Sequence, residues 1–309
     1  MQMKSILNRA KNKKILIPGF NVPYLPMMEG IVEALVAKDA FGLIMVARLE
    51  WIKFQSKGMK EIAEEYLKFQ DPRYTRLHLD HIPVIDEDGL RVDYIPIIRE
   101  ALELGYDSVM IDGSRLPLYE NIEAACKVLE LARPEGVPVE AELGAVFGHE
   151  SGELALSYED LYTSRKGFTD IKEAERFVQQ TGIDLLSVAV GNVHGAISEK
   201  ARKEEKIKAK IDLEHISRLA EATGTPLVLH GGSGIAADLI KQAVPRGIVK
   251  LNIGTDIRKV YESFVQEEKY AEAIKAVMIK TEELLDLYGI TGSASKLTAV
   301  NIQNNGLEK

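Results

Sequence analysis

The chain has 309 residues, 46% of them hydrophobic, with 39 Lys and Arg against 47 Asp and Glu for a formal net charge of -8. This length and apolar content support one barrel-sized domain or two modest ones and exclude a disordered chain, while the acidic balance lacks the basic stripes that bind nucleic-acid phosphates. The single cysteine, Cys126, excludes a disulfide framework and suits a reducing cytoplasm; the opening MQMKSILNRAKNKKILIPGF has no apolar signal core, and no later run approaches the roughly 20 apolar residues of a membrane span.

Short β-rich runs follow one another along the chain: KILIPGFNV, FGLIMVA, RLHLDH, DSVMID, VPVEAEL, DLLSVAV, TPLVLHG and GIVKLNI. Between them lie stretches of helical period, among them EGIVEALVAK, YIPIIREALELG, NIEAACKVLELARPEG, IKEAERFVQQTG and HISRLAEATG, several ending on the glycine that terminates a helix. Eight strand–helix units within about 250 residues predict a (β/α)8 TIM barrel over an open doubly wound sheet. No Pro/Gly/Ser-rich linker interrupts the pattern, so residues 1–309 are expected to form a single domain, with 262–309 as closing helices and a C-terminal tail.

In such a barrel the strands' C-terminal ends form the mouth of the active site. Read in order, those ends give Asn21, then Arg48 and Glu50, Asp80 and His81, Asp112, Glu142, His194, His230 and Asn252. Polar residues accumulate on one face, as a site requires. Three histidines, His81, His194 and His230, close strands 3, 6 and 7, and three imidazole nitrogens with an open fourth position are a usual catalytic zinc arrangement. The other three are not expected to be ligands: His78 is placed on the face opposite His81, His215 on a solvated helix face, and His149 in a loop. HGGSGI at 230–235 and NIGTDI at 252–257 follow strands 7 and 8, where backbone N–H groups and a helix N-terminus can cradle a phosphate.

These residues carry a family resemblance. HLDH at 78–81, SVMIDGSRLPLYENI at 108–122, VEAELGAV at 139–146, VGNVHGA at 190–196, LHGGSG at 229–234 and KLNIGTD at 250–256 resemble, in order, the signatures of the class II, zinc-dependent ketose-bisphosphate aldolases. The resemblance runs from about residue 15 to 290. It implies a Zn2+ or similar divalent ion held by His81, His194 and His230, with Glu142 as an alternate or supporting metal group, and leaves room for a monovalent cation. It implies Asp80 as the acid/base residue and Glu150, on a loop, as the base that moves the C3 proton of dihydroxyacetone phosphate. Gly195, Gly231, Gly232 and Ser233, with Asn252, Ile253, Gly254, Thr255 and Asp256, match the segments that hold the phosphate of that compound; Asn21 and Arg48 complete the expected substrate-binding set. The partner implied is a small phosphorylated sugar, and a homo-oligomer, dimer or tetramer, is expected.

The chain also departs from the family pattern. Arg48 and Glu50 stand near the end of strand 2, where members often have a serine; FGHESGE replaces the usual GG[EQ]ED loop; Ser198 stands where a lysine is common; Arg115 replaces the histidine of GSHLP; and IPVIDEDGLRVD lengthens the loop after strand 3. The metal and one-phosphate end thus matches while the aldehyde end does not, so fructose 1,6-bisphosphate is a plausible substrate among ketose phosphates. With Arg48 and Glu50 sharing a strand parity, the Arg48 guanidinium is expected at the mouth, where it could adapt the enzyme to another aldehyde. Two alternatives are a non-catalytic aldolase-like subunit that stabilises a partner and a different zinc barrel enzyme, an epimerase or hydrolase. Retention of three histidines and Asp80 argues against the first, and FNVPY at strand 1, without an HxH pair, against a hydrolase.

Overall fold

The computed structural model describes residues 1–144, 146, 158–193 and 209–299. Glu150, His194 and Gly195, as well as His149 and Ser198, lie outside the described residues. Eight parallel strands close into a barrel: β1 Ile17–Asn21, β2 Gly42–Ala47, β3 Thr75–Pro83, β4 Ser108–Asp112, β5 Val139–Leu143, β6 Leu185–Val188, β7 Leu227–Leu229 and β8 Ile248–Ile253, each paired with its neighbours in sequence and β8 with β1. Parallel strands covered by helices are buried on both faces, which is why a run such as FGLIMVA at β2 reads as a nearly continuous apolar stretch. Among the described residues no helix is long and apolar enough to cross a membrane.

Strand parity divides the core in two. Leu77 and Leu79 of β3, Val139, Ala141 and Leu143 of β5, and Ile248, Leu251 and Ile253 of β8 face outward into the layer shared with the helices. Facing inward, Ile17, Leu43, Met45, Leu185, Val228 and Val249 fill the bottom of the barrel with apolar side chains. They rest on a helix absent from the sequence reading, Met3–Lys13, whose Met3, Ile6, Leu7 and Ala10 plug that end. These four residues span about two turns of the helix and cover that end of the barrel, opposite the strands' C-terminal ends.

Several helix ends follow the sequence signals. Asp170 caps the helix Ile171–Thr181, accepting from the N–H groups of Lys172 and Glu173, and Gly182 ends it at φ 63°. Asp212 and Gly224 bracket Leu213–Thr223 in the same way. The closing region begins earlier than 262: the helix Thr255–Val265 directly follows β8, and Tyr270–Tyr288 packs against the helix Met27–Ala37. Two helices between β2 and β3, Arg48–Lys53 and Met59–Phe69, are also additional to the sequence reading.

Candidate active site

The inward parity of three strands builds the site. His78 and Asp80 on β3, Glu140 and Glu142 on β5, and Lys250 and Asn252 on β8 alternate with outward apolar residues, so pairs two apart point together into the barrel. Asp80 would then exclude its neighbour His81, but β3 is irregular there. Leu79 pairs with Val109 and Ile82 with Ile111, so Asp80 and His81 together oppose Met110. His81 takes φ 39° at this bulge, an unfavourable backbone for a side chain of its size. The distortion turns the imidazole back toward the interior, where its ring centroid lies 4.4 Å from that of His230. His78 therefore shares the interior with His81 instead of facing away from it, a correction to the regular-strand expectation.

Asp80 is buried and held by one amide on each oxygen: Asn21 Nδ2 donates to Oδ2 at 3.0 Å and Asn252 Nδ2 to Oδ1 at 2.9 Å. Burial opposes its ionisation, but His81, Lys250, His230 and His78 outweigh that and hold the carboxyl well below 3.8. The result is a fixed, charged acceptor. The carboxylates behind the two histidines orient them. His230 Nε2 meets Glu140 Oε1 at 2.9 Å, and His81 Nδ1 faces Asp112 Oδ2 at 3.4 Å, while Asp112 accepts in turn from Ser114. Burial works against protonation of His81, yet Asp80 and then Asp112 raise it well above 6.5; in His230, burial and the charge of His81 win and keep the ring neutral.

Beneath these groups lies a charged layer. Lys250, fully buried, donates to Glu140 Oε2 at 2.7 Å and approaches His78 Nε2 at 3.3 Å. Burial and then Lys250 push His78 down to about 3, so His78 is a neutral ring receiving from Lys250 at Nε2 and meeting Ser108 Oγ at Nδ1, 2.7 Å away. Burial opposes the charge of Glu140, but Lys250 and His230 bring it to about 2. Glu140 and Lys250 carry no signal of their own in the sequence, although the spacings EAE and KLN place them two residues before Glu142 and Asn252, as HLD places His78 before Asp80.

The donor set fits a divalent cation. Ligand atoms of Asp80, His81 and His230 all lie within 4.8 Å of one another. Glu140 accepts from the Nε2–H of His230, so Nδ1 presents a lone pair, and 3.0 Å away stands the Glu142 carboxylate oxygen Oε2, which accepts from Ser187. A cation between the two would bind both. A second group, His78, Asp80 and Glu140, is also tight enough for a metal, but the Lys250 ammonium already supplies its positive charge.

The glycine loops stand side by side at the mouth. Gly231 has φ 71°, Gly232–Gly234 form one 3-10 turn, and a Cβ on Gly232 would stand 2.8 Å from Leu251 Cδ1 and 2.9 Å from the Asn252 carbonyl oxygen. Gly254 caps the helix that Thr255 and Asp256 begin. Ser233 Oγ and Asn252 Oδ1 are buried with no hydrogen-bond partner among the described residues, and are available to a ligand. Ile253 contributes only backbone there, because its side chain lies in the outer core.

Three expectations change. Arg48 is not on a strand but opens the helix Arg48–Lys53; its guanidinium pairs with Asp86 in the long loop after β3. Glu50 folds back to accept from the Ala47 N–H at 2.7 Å and from Asn21 Nδ2 at 3.4 Å, and burial, then the charge of Asp80, pushes its carboxyl up to about 8. His215 is buried, not solvated: Nε2 meets the Thr169 carbonyl oxygen at 2.8 Å, the ring serving as a tie between segments.

Comparison with known proteins identifies the family and agrees with the barrel fold. The family model described as fructose-bisphosphate aldolase class-II matches residues 1–294. A fructose-bisphosphate aldolase of Streptococcus pneumoniae is 30% identical over 316 residues, covering 94% of this chain and 98% of that protein. A 6-phospho-5-dehydro-2-deoxy-D-gluconate aldolase of Bacillus subtilis is 36% identical over 260 residues, covering 83% and 80%. The crystal structure of the YdjI aldolase from Escherichia coli K12 superposes with a TM-score of 0.74 at 28% identity, covering 95% of this chain and 100% of that one. The chain belongs to the class II fructose-bisphosphate aldolase family and is an aldolase, a lyase acting on carbon–carbon bonds.

Proposed function

We propose that the protein cleaves and forms a C–C bond in a phosphorylated ketose, giving dihydroxyacetone phosphate and an aldehyde through an enediolate. The observation that carries this reading is the convergence of Asp80, His81 and His230 on one point, beside two glycine loops suited to a single phosphate. His81 and His230, with His194 as the resemblance implies and Glu142 in support, would hold Zn2+ or a similar divalent ion. When bound, that ion supplies Lewis-acid stabilisation of the charge that develops on the substrate oxygens.

The chain's own residues do the rest. Asp80, clamped by Asn21 and Asn252, accepts the proton of the C4 hydroxyl in cleavage and returns it to the aldehyde oxygen in condensation. Glu150, outside the described residues, is assigned the C3 proton of dihydroxyacetone phosphate. Backbone N–H groups of the loops after β7 and β8, with Ser233, hold the phosphate. The relatives are named for different substrates, a fructose bisphosphate and a 6-phospho-5-dehydro-2-deoxy-D-gluconate; fructose 1,6-bisphosphate is the reference compound for this chain. The test is hydron exchange: in D2O the zinc-loaded protein should exchange one C3 hydrogen of dihydroxyacetone phosphate, followed by NMR. Exchange no faster than in buffer would refute the reading.

A further inference from the structure

Three departures from the family pattern meet at one place. Arg48, just past β2, reaches across to the Asp86 carboxylate, and Arg115, just past β4, reaches back to the Asp86 carbonyl oxygen. Asp86 sits on the lengthened loop directly beyond β3, the strand of Asp80 and His81. Ala47, next to Arg48, is the register partner of Asp80, and Asp112, three residues before Arg115, faces His81. The two guanidiniums therefore bracket the reacting end of β3 at the rim, across the mouth from the β7 and β8 loops assigned to the phosphate.

The loop is built to hold them. Val84 N–H donates to the Asp112 carbonyl at 2.9 Å, Val92 N–H to the Val84 carbonyl at 3.0 Å, and Ile85 bridges Arg91 antiparallel. Asp86 N–H donates to the Leu90 carbonyl at 2.9 Å, and Oδ1 of Asp86 accepts from the Glu87 N–H at 2.8 Å, so its other oxygen is aimed at Arg48. Lys53 is matched by Glu87 and Arg91 by Glu120. Arg115 has no carboxylate partner among the described residues, its contact being to a backbone oxygen. Two half-buried guanidiniums against one buried carboxylate leave a single net positive charge.

We propose that Arg115, with Arg48 positioned by Asp86, forms a subsite for a singly charged carboxylate at the far end of the aldehyde half of the substrate. This rests on the aldolase reading above and names the substrate class. A carboxylate matches the planar guanidinium fork and its one charge. A dianionic phosphomonoester would leave excess negative charge beside the Asp86 carboxylate, and a neutral aldehyde would leave the Arg115 charge unmatched.

The experiment measures kcat/KM for condensation of dihydroxyacetone phosphate with 3-oxopropanoate, 4-oxobutanoate, neutral glyceraldehyde and glyceraldehyde 3-phosphate, using the zinc-loaded full chain. A carboxyl aldehyde should be the best acceptor. In Arg115→Gln the carboxyl-to-neutral ratio should fall by roughly 10–100-fold, the usual weight of a charge-assisted hydrogen bond, and Arg115→Lys should restore part of it. In Asp86→Asn, where the net charge rises to two, the balance should move toward glyceraldehyde 3-phosphate. Each ratio is internal to one preparation, so partial misfolding does not alter it. The proposal is overturned if glyceraldehyde 3-phosphate is best in the wild type or if neither variant moves a ratio. With hydron exchange into dihydroxyacetone phosphate intact, that result removes only the subsite; with exchange absent too, the aldolase reading falls as well.

Discussion

Replacing Lys250 by Met should destabilise the barrel more than any surface change, and the structure sets the scale. Lys250 has no exposed surface and stands 2.7 Å from the equally buried Glu140, the largest single influence lowering that carboxyl from 4.5 to about 2. A fall of that size corresponds to about 3 kcal/mol at 1.36 kcal/mol per tenfold change in acidity, and removing one partner of a buried pair typically costs about 3–5 kcal/mol. A loss of about 3 kcal/mol is therefore expected at pH 7, to be measured by urea unfolding followed by circular dichroism in chelator. The sign of the pH dependence is also fixed. In the wild type the depressed Glu140 contributes stability that is complete above pH 4.5 and is lost as pH falls through about 2; neutral His78, about 3 against 6.5, contributes above 6.5 and loses that contribution on the way down. Without Lys250 the Glu140 carboxyl rises and is protonated more readily, so the gap between variant and wild type should narrow from pH 7 to pH 3. Adding Glu140→Gln, which removes the stranded charge but keeps an acceptor for His230, should recover part of the loss. Wild-type stability of Lys250→Met at pH 7 with a parallel pH profile would contradict the reasoning.

Asp80→Ala should lower kcat by roughly 10²–10⁴-fold with metal content largely kept, since acid/base groups carry that much of a rate; near-normal turnover would make Asp80 structural. Chelation should abolish activity and Zn2+ restore it, and His230→Ala should bind less zinc by elemental analysis, because neutral His230 offers Nδ1 as a lone pair. Glu50→Gln should be more stable than the wild type at pH 8.5 and equal to it at pH 4: a carboxyl raised to about 8 favours folding in its protonated form and loses that contribution as pH rises through 8. Equal unfolding midpoints at both pH values would show that Glu50 does not feel its surroundings in this way.

The barrel was legible because its signals are local and repetitive. Strands such as VPVEAEL and GIVKLNI are apolar on alternate residues, and Gly182 and Gly224 end their helices as glycine permits. The ends of the strands pointed to Asp80, His81, Glu142, His230 and Asn252, which the structure brings together. What eluded the sequence depends on tertiary geometry. One bulge between Leu79 and Ile82 decides that His78 and His81 both face inward, and no propensity marks it. Lys250 would read as a surface charge from composition, yet the spacing of Lys250 and Asn252 is the same two-residue step that pairs His78 with Asp80. In sequence Arg48 and Glu50 share a strand parity, whereas in the structure the Glu50 carboxyl returns to accept from the Ala47 N–H and a helix starts there. His215 lies on an amphipathic helix whose histidine face meets the Thr169 carbonyl instead of water.

The most direct test of the proposed chemistry is a screen of the zinc-loaded protein for release of dihydroxyacetone phosphate from a panel of phosphorylated ketoses, fructose 1,6-bisphosphate included, detected by coupling the product to NADH oxidation. Release from at least one ketose is predicted, abolished by chelator and reduced in Asp80→Ala. Zinc-loaded, folded protein that liberates no dihydroxyacetone phosphate from any member of the panel would contradict it.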